Sequence, residues 1–393
     1  MDLFDKCKDY TETKAAKAGG YYPYFHPLAS AQGPEVMVEG RKMIMLGSNN
    51  YLGLSYHEHL KKAAIAAIEK YGVGCVGSRF LTGNTELHEK LEKKLAEFVG
   101  KEAALVFSTG MQANLGTISA LVGKNEFAVI DELDHASIID ACRLSRGRTP
   151  SYRHNDMASL EKTLSLLPAE SGKLIIFDGV FSMEGDIANL PQIIELAKKH
   201  HARVMIDDAH GLGVMGAAGR GTCEHFNLTK EVDIIMGTFS KSLASIGGFI
   251  AAGEEVIEYV KHHARALIYS AAFPPSCAAS VLAALEIIEK EPERRKRLWE
   301  ISNKMHKEFK RIGFDTGISA TPIIPIIVGD NMRAVHMCGR LFNKGIFTTP
   351  VISPAVPEGH ALIRTSYMAT HTDEHLNQVL EAFSEVGKEM GII

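Results

Sequence analysis

What the sequence lacks narrows its function first. Lys and Arg number 43 and Asp and Glu 47 in 393 residues, a formal balance of −4, so the basic excess that nucleic-acid binding draws on is missing. The six cysteines (Cys7, Cys75, Cys142, Cys223, Cys277 and Cys338) are widely spaced and form no CxxC pair. That excludes a disulfide framework or zinc module and fits a reducing cytoplasm. No window approaches the ~20 apolar residues of a membrane span. The opening MDLFDKCKDYTETKAAKAGG alternates charges where a secretory leader would carry an apolar run. A cytoplasmic protein is expected, with contact to the inner face of the membrane left open. Repeats and low-complexity tracts are also missing. What remains is 46% hydrophobic and 23% charged, the composition of a folded chain with a large core. At ~100–200 residues per domain, two or three domains are expected.

Residues 1–45 are polar and marked by Gly and Pro, turning strand-like over Glu35–Leu46, and read as an arm that packs on another part of the protein. Ser55 to Glu58 has the capping-box pattern, and Leu60, Ala64, Ala67, Ile68 and Tyr71 follow at helical spacing up to a stop at Gly72. Leu87, Leu91, Leu95 and Phe98 define a second helix ending at Gly100. Short apolar runs then recur at Ala103–Ser108, Phe127–Asp131, Lys173–Asp178, Arg203–Asp207, Asp233–Gly237 and Gly247–Ala251, most of them separated by helical stretches. This alternation predicts an α/β fold, a mostly parallel sheet flanked by helices. After about Val256 the texture changes to helices at Ser276–Glu289 and Arg295–Ile312, a Pro-containing strand at Thr321–Val328 and a helix at Asp373–Met390. The expected division is an arm over 1–50, a large sheet domain over 51–270 and a smaller α+β domain over 271–393.

Ligands of open α/β sheets sit beyond the carboxyl ends of the strands. Four of these strands end in Ser108, Asp131, Asp178 and Asp207, which are expected to line one crevice. Gly72, Gly74 and Gly77 match GxGxxG, but a helix precedes them where a dinucleotide fingerprint needs a strand, so an NAD oxidoreductase is disfavoured. Thr109, Gly110 and Met111 join a strand to the helix Gln112–Leu121, where free N–H groups suit a phosphate. Lys241 follows the strand Asp233–Gly237 among the hydroxyls of Thr238, Ser240 and Ser242. A lysine held in a crevice has a lowered pKa and can attack an aldehyde. Asp207, with His210 three residues on, suits a protonated ring nitrogen, and His135 is placed to stack on a planar ligand. No further His/Cys set is spaced to complete a metal site, so none is expected. His200, His201, His262 and His263 read as surface residues. A lysine for an aldehyde, an aspartate for a pyridinium and a helix-start phosphate cradle are the parts that pyridoxal 5'-phosphate (PLP) chemistry requires.

These motifs carry a resemblance. GTFSKS (Gly237–Ser242), DDAH (Asp207–His210), DHAS (Asp134–Ser137) and SNNYLGL (Ser48–Leu54) resemble those of the α-oxoamine synthases, fold-type-I PLP transferases that condense an amino acid with an acyl-CoA and release CO2. The resemblance runs from about Leu46 to the end of the chain. It implies that Lys241 carries the PLP aldehyde, Asp207 pairs with the pyridine nitrogen and His135 stacks on the ring, and these three are the expected catalytic residues. It further implies that His210 and Ser182 contact the ring hydroxyl and that Gly110, Met111, Thr238 and Ser240 hold the phosphate. Asn49 and Arg364 are implied to take the amino-acid carboxylate. Ser270 is implied to reach the phosphate of a neighbouring protomer, so a homodimer with shared sites is expected.

Within the family, Gly72–Glu92 and the Pro-rich Ser353–Pro357 resemble the members that join L-serine to a long-chain acyl-CoA such as palmitoyl-CoA, giving 3-ketodihydrosphingosine, CoA and CO2. Ile352 departs from the pattern, standing where some of those members carry arginine. Alternatives within the family pair alanine with pimeloyl-CoA or glycine with acetyl-CoA. A non-catalytic binding protein of this fold is disfavoured by the intact set of Lys241, Asp207 and His135.

Overall fold

The computed structural model describes residues 2–393. Two short helices, α1 (Asp5–Asp9) and α2 (Glu12–Ala18), open the chain and bury none of their side chains. The strand-like stretch splits into an antiparallel hairpin, β1 (Glu35–Val38) and β2 (Arg41–Met45). Helix α3 (Glu58–Tyr71) follows. Its cap is His57, whose Nδ1 accepts the His59 N–H, and not the Ser55 of the expected capping box. The Ser55 hydroxyl is drawn away because it donates to the Gln32 carbonyl at 2.7 Å and accepts from Asn50 at 2.9 Å. Helix α4 (Glu86–Val99) buries Leu91, Leu95 and Phe98 as the spacing predicts and ends on Gly100 at φ 74°, a left-handed position that favours glycine.

A seven-stranded sheet organises the rest. Its members are β3 (Ala103–Phe107), β4 (Phe127–Asp131), β5 (Ser151–Tyr152), β6 (Lys173–Asp178), β7 (Arg203–Asp207), β8 (Ile234–Thr238) and β9 (Gly248–Ala252), in the order β3-β9-β8-β7-β6-β4-β5. β9 runs antiparallel to β3 and β8, and the other pairs are parallel. β6 shows why its sequence is almost continuously apolar. Successive side chains of a strand point to opposite faces, and both faces are covered here. Ile175 and Phe177 join one core cluster with Leu91, Leu95 and Ile206, while Leu174 and Ile176 join another with Ile118, Ile138 and Met205. Helices α5 (Gly110–Leu121) and α6 (Ala136–Leu144) cover that second face.

The C-terminal third carries long helices over Pro275–Lys290 and Pro292–Ile312 and an antiparallel sheet of β10 (Ile323–Gly329), β12 (Thr349–Val351) and β13 (Ala361–Ser366). β11 (Ile346–Phe347) pairs in parallel with β2, so the early hairpin and this late segment share one small sheet. The closing helix spans Asp373–Glu389. Among the described residues no helix is long and apolar enough to cross a membrane.

The GxGxxG loop serves the fold. Helix α3 precedes it, and Gly77 closes against Gly83: a Cβ on Gly83 would lie 2.2 Å from the Gly77 carbonyl oxygen. Arg79 then turns inward and makes a bidentate pair with Glu92, Nη1 to Oε1 at 2.8 Å and Nη2 to Oε2 at 3.0 Å, with its side chain 7% exposed. Glu92 also accepts the Val106 N–H of β3, so the pair ties loop, helix and sheet edge together. Removing one partner of a buried pair strands the other charge, at a cost of ~3–5 kcal/mol. Arg79→Ala is therefore expected to lower the free energy of urea unfolding by roughly that amount; a change below ~0.5 kcal/mol, as for an ordinary surface site, would refute the assignment.

Candidate active site

The parallel strands β6, β7 and β8 end side by side, so register places Asp178 opposite Asp207, and Asp207 opposite Met236. Beyond these ends lies a cavity of about 350 Å³, within the size range of small-ligand sites. It is lined by residues from five segments: Thr109, Gly110 and Met111; His135 and Ser137; Asp178 and Ser182; Asp207, Ala209 and His210; and Met236, Thr238, Ser240, Lys241, Ile246 and Gly247.

One end is a cradle for an anion. Thr109 caps α5 and its hydroxyl accepts the Gln112 N–H at 3.1 Å. The N–H groups of Gly110 and Met111 find no acceptor among the described residues, as expected of a free helix start. Thr238 and Ser240 add hydroxyls 3.1 Å apart. Close chain approach makes the cradle possible. A Cβ on Gly110 would lie 2.8 Å from the Thr238 hydroxyl, and one on Gly248 would lie 2.6 Å from the Gly110 Cα. Ser242, expected to join these hydroxyls, is instead buried and does not line the cavity; it packs against Gly213, where a Cβ would come within 2.6 Å of the Ser242 Cβ.

The other end is built around charge. The Asp207 carboxylate accepts an Asn114 side-chain N–H at 2.8 Å and the Ala209 N–H at 3.1 Å. Burial presses the Lys241 amine down to about 8, against the attraction of Asp207 and Asp178. His210 is held well below the usual imidazole range by burial and by the charges of Lys241 and Arg364, so it is neutral. The Tyr51 hydroxyl stands 2.7 Å from its Nδ1 and holds that edge of the ring, leaving Nε2 free of a protein partner among the described residues. His135 is lowered by burial and by Lys241 against the pull of Asp207. It caps α6: its Nδ1 accepts the Ser137 N–H at 3.2 Å and sits 2.8 Å from the Ser137 hydroxyl, which fixes the ring.

Asn49 and Arg364 meet beside the cavity. Arg364 Nη2 donates to Asn49 Oδ1 at 2.9 Å and its Nε donates to the Ser182 carbonyl at 2.6 Å. The structure thus brings Gly110, Met111, His135, Ser182, Asp207, His210, Thr238, Ser240 and Lys241 onto one cavity, with Asn49 and Arg364 adjoining it through Ser182. Ser270 lies apart, accepting the Gln112 side-chain N–H at 2.8 Å. Of the four polar strand ends, only Asp178 and Asp207 reach the cavity. Ser108, on the sheet's outer strand, donates to the Ala271 carbonyl. Asp131 is taken by His154 and by the N–H groups of Leu133 and Asn155. Two participants escaped the sequence reading. Asn114 was legible as a polar residue on a buried helix face; Tyr51 lies within the SNNYLGL motif, where nothing local marks it as a partner for residue 210.

The model of the family described as aminotransferase class I and II matches residues 41–383, and the chain belongs to that family. Its likeness is to the α-oxoamine synthases within it. It is 51% identical to the serine palmitoyltransferase of Bacteriovorax stolpii, over 98% of this chain and 92% of that one. It is 45% identical to the 8-amino-7-oxononanoate synthase of Thermoanaerobacter pseudethanolicus, over 96% of each. The solved serine palmitoyltransferase from S. paucimobilis, with a bound PLP–myriocin aldimine, superimposes with a TM-score of 0.96 at 35% identity over the whole of both chains. The expected fold-type-I architecture is thereby shown.

The lowered Lys241 amine has a consequence for stability. Between about 8 and the ordinary 10.5 the unfolded chain binds a proton at this position that the folded chain does not, so Lys241 contributes stability that grows with pH across that window. Urea unfolding of the unliganded protein across this window is expected to give a stability-versus-pH slope more positive in the native chain than in Lys241→Met; identical slopes would contradict the assignment.

Proposed function

We propose that this chain is a PLP-dependent acyltransferase that condenses L-serine with a long-chain acyl-CoA such as palmitoyl-CoA, giving 3-ketodihydrosphingosine, CoA and CO2. The observation that carries the reading is the cavity itself: a lysine of lowered pKa beside a buried carboxylate, with an anion cradle at the opposite end. The close relatives named serine palmitoyltransferase support the choice of substrates.

The residues fit the cofactor. Free N–H groups at Gly110 and Met111, with the Thr238 and Ser240 hydroxyls, suit the phosphate. Asp207 would hold a protonated pyridine nitrogen, and His135, locked by Ser137, would lie on the ring. His210 Nε2 and Ser182 would donate to the ring hydroxyl, and Lys241 would hold the aldehyde. PLP bound there supplies an electron sink for a carbanion at the amino-acid Cα.

The chain's own part is positioning and proton transfer. Arg364 and Asn49, already paired, would receive the serine carboxylate. Lys241 Nζ, which burial makes easier to deprotonate than an ordinary lysine, would take the Cα proton. General base help of this kind is worth roughly 10²–10⁴-fold. The reading includes a homodimer. Met111 and Ile246, at the cavity, are 48% and 51% exposed, and Val76, Phe80, Leu81 and Tyr269 are exposed as well. An apolar surface of this kind suits a second copy, whose phosphate Ser270 would then reach.

The second reading, the condensation of alanine with pimeloyl-CoA, has the 45% identical 8-amino-7-oxononanoate synthase in its favour. Titrating the PLP-loaded protein with serine, alanine and glycine separates the two. Serine is expected to shift the visible absorption band and, once palmitoyl-CoA is added, to yield a long-chain 3-keto product by mass spectrometry; a response to alanine or glycine and not to serine would overturn the serine assignment. Lys241→Ala should abolish the visible band of the lysine-bound cofactor, and an unchanged band would refute the role of Lys241.

A further inference from the structure

Running back from the cavity wall, where Asp178 lines it, the structure buries a cluster of acids. Asp131, Asp134, Asp178 and Asp186 are 1%, 4%, 6% and 5% exposed. Neighbouring carboxylates repel one another, and burial raises the cost of each charge. Asp134 and Asp178 accordingly sit well above the carboxylate range, pushed first by burial and then by the nearby acids. From the cavity side Lys241 faces Asp178. From the far side the countercharge is His154, just past β5.

Both nitrogens of His154 face carboxylates, Nδ1 at 3.0 Å from Asp131 Oδ1 and Nε2 at 3.3 Å from Asp186 Oδ2. The second contact is an ion pair outside hydrogen-bond alignment. A neutral ring would turn a lone pair onto one of these acids, so the geometry requires the doubly protonated cation. Burial pulls the group down, but the hydrogen bond to Asp131 and the attraction of Asp186 outweigh it and lift it to about 10. Glu132, whose Oε1 accepts the His154 backbone N–H at 3.0 Å, and Glu184 are further titratable neighbours, and the edge of the Phe181 ring packs with centroids 4.4 Å apart.

From His154 the contacts run toward the cavity without a gap. Asp131 accepts from His154 and its own N–H donates to Asp134 Oδ2 at 3.0 Å. The other oxygen of Asp134 accepts the Asp178 N–H at 2.9 Å, joining the ends of β4 and β6. Asp178 Oδ2 then accepts the His135 N–H at 3.0 Å. We propose that His154 is a positioning residue: its cation anchors the run Asp131–Asp134–Asp178, and that run sets where the His135 ring stands over the cavity. This rests on the reading of His135 as the residue that stacks on PLP, and deepens it, because a residue that touches no ligand would govern how firmly the ring is held.

The test is a double-mutant cycle read by PLP dissociation constant and by the induced circular dichroism of the visible band, which reports how the ring is seated. His154→Gln, keeping size without charge, is expected to weaken PLP binding about tenfold or more and to reduce the dichroism. The same change made in a His135→Ala background should cost less than about twofold, since the residue it acts through is gone. Equal losses in both backgrounds would overturn the proposal and leave His154 a merely structural cation. If His154→Gln does not fold, Asp131→Asn breaks the same run one step closer and is expected to show the same dependence on His135, with equal losses again overturning the idea. His135→Ala alone distinguishes the underlying reading. If it leaves PLP affinity and dichroism unchanged, stacking by His135 fails, whatever His154 does.

Discussion

The Asp207 carboxylate, 4% exposed at the end of a central parallel strand, is the charge around which the site is arranged. A buried carboxylate is tolerated when hydrogen bonds and an opposite charge compensate its lost hydration. Asn114 and the Ala209 N–H supply the bonds, and Lys241 supplies the charge. Each of these depends on the sheet. β7 delivers Asp207, β8 runs beside it and leads to Lys241, and α5 returns across the same face so that Asn114 points inward. Burial in turn lowers the proton affinity of Lys241 and keeps His210 neutral. One desolvated crevice thus prepares a nucleophile, a neutral donor and a fixed anion together.

The cradle opposite is a packing problem and not a charge problem. It needs the start of α5 to press against β8 and β9, and glycines at 110 and 248 allow it, since a side chain at either would collide with atoms of the neighbouring segment. Free N–H groups and hydroxyls there suit an anion, so a chain with a formal charge of −4 needs no basic surface to receive one.

Much of this was legible in the sequence. Lys173–Asp178, Arg203–Asp207 and Phe127–Asp131 are bounded as their apolar runs indicate, because strands buried on both faces leave no polar gaps. Asp207 stands out because it closes such a run, and His135 and Lys241 because each lies four residues past the end of one. What escaped was set by the third dimension. Asp131 looks identical to Asp207 in sequence, yet His154 reaches back from beyond β5 and withdraws it from the cavity. Ser55 has the pattern of a cap, but Gln32 and Asn50, distant in sequence or outside the helix, claim its hydroxyl. Tyr51 pairs with His210 across 159 positions, a contact no local spacing encodes. Arg79, within the loop that marks the serine-using branch, proved to be a strut for Glu92.

The central claim is that Asp207 keeps a bound pyridine ring protonated so that it can accept electrons from the substrate carbon. The direct measurement is the nitrogen-15 chemical shift of ring-labelled PLP in the loaded protein, compared between the native chain and Asp207→Asn. A protonated-pyridinium shift in the native protein that moves to the unprotonated range in the variant is the predicted result. An unprotonated ring in the native protein, or the same protonated shift in both, would contradict the account.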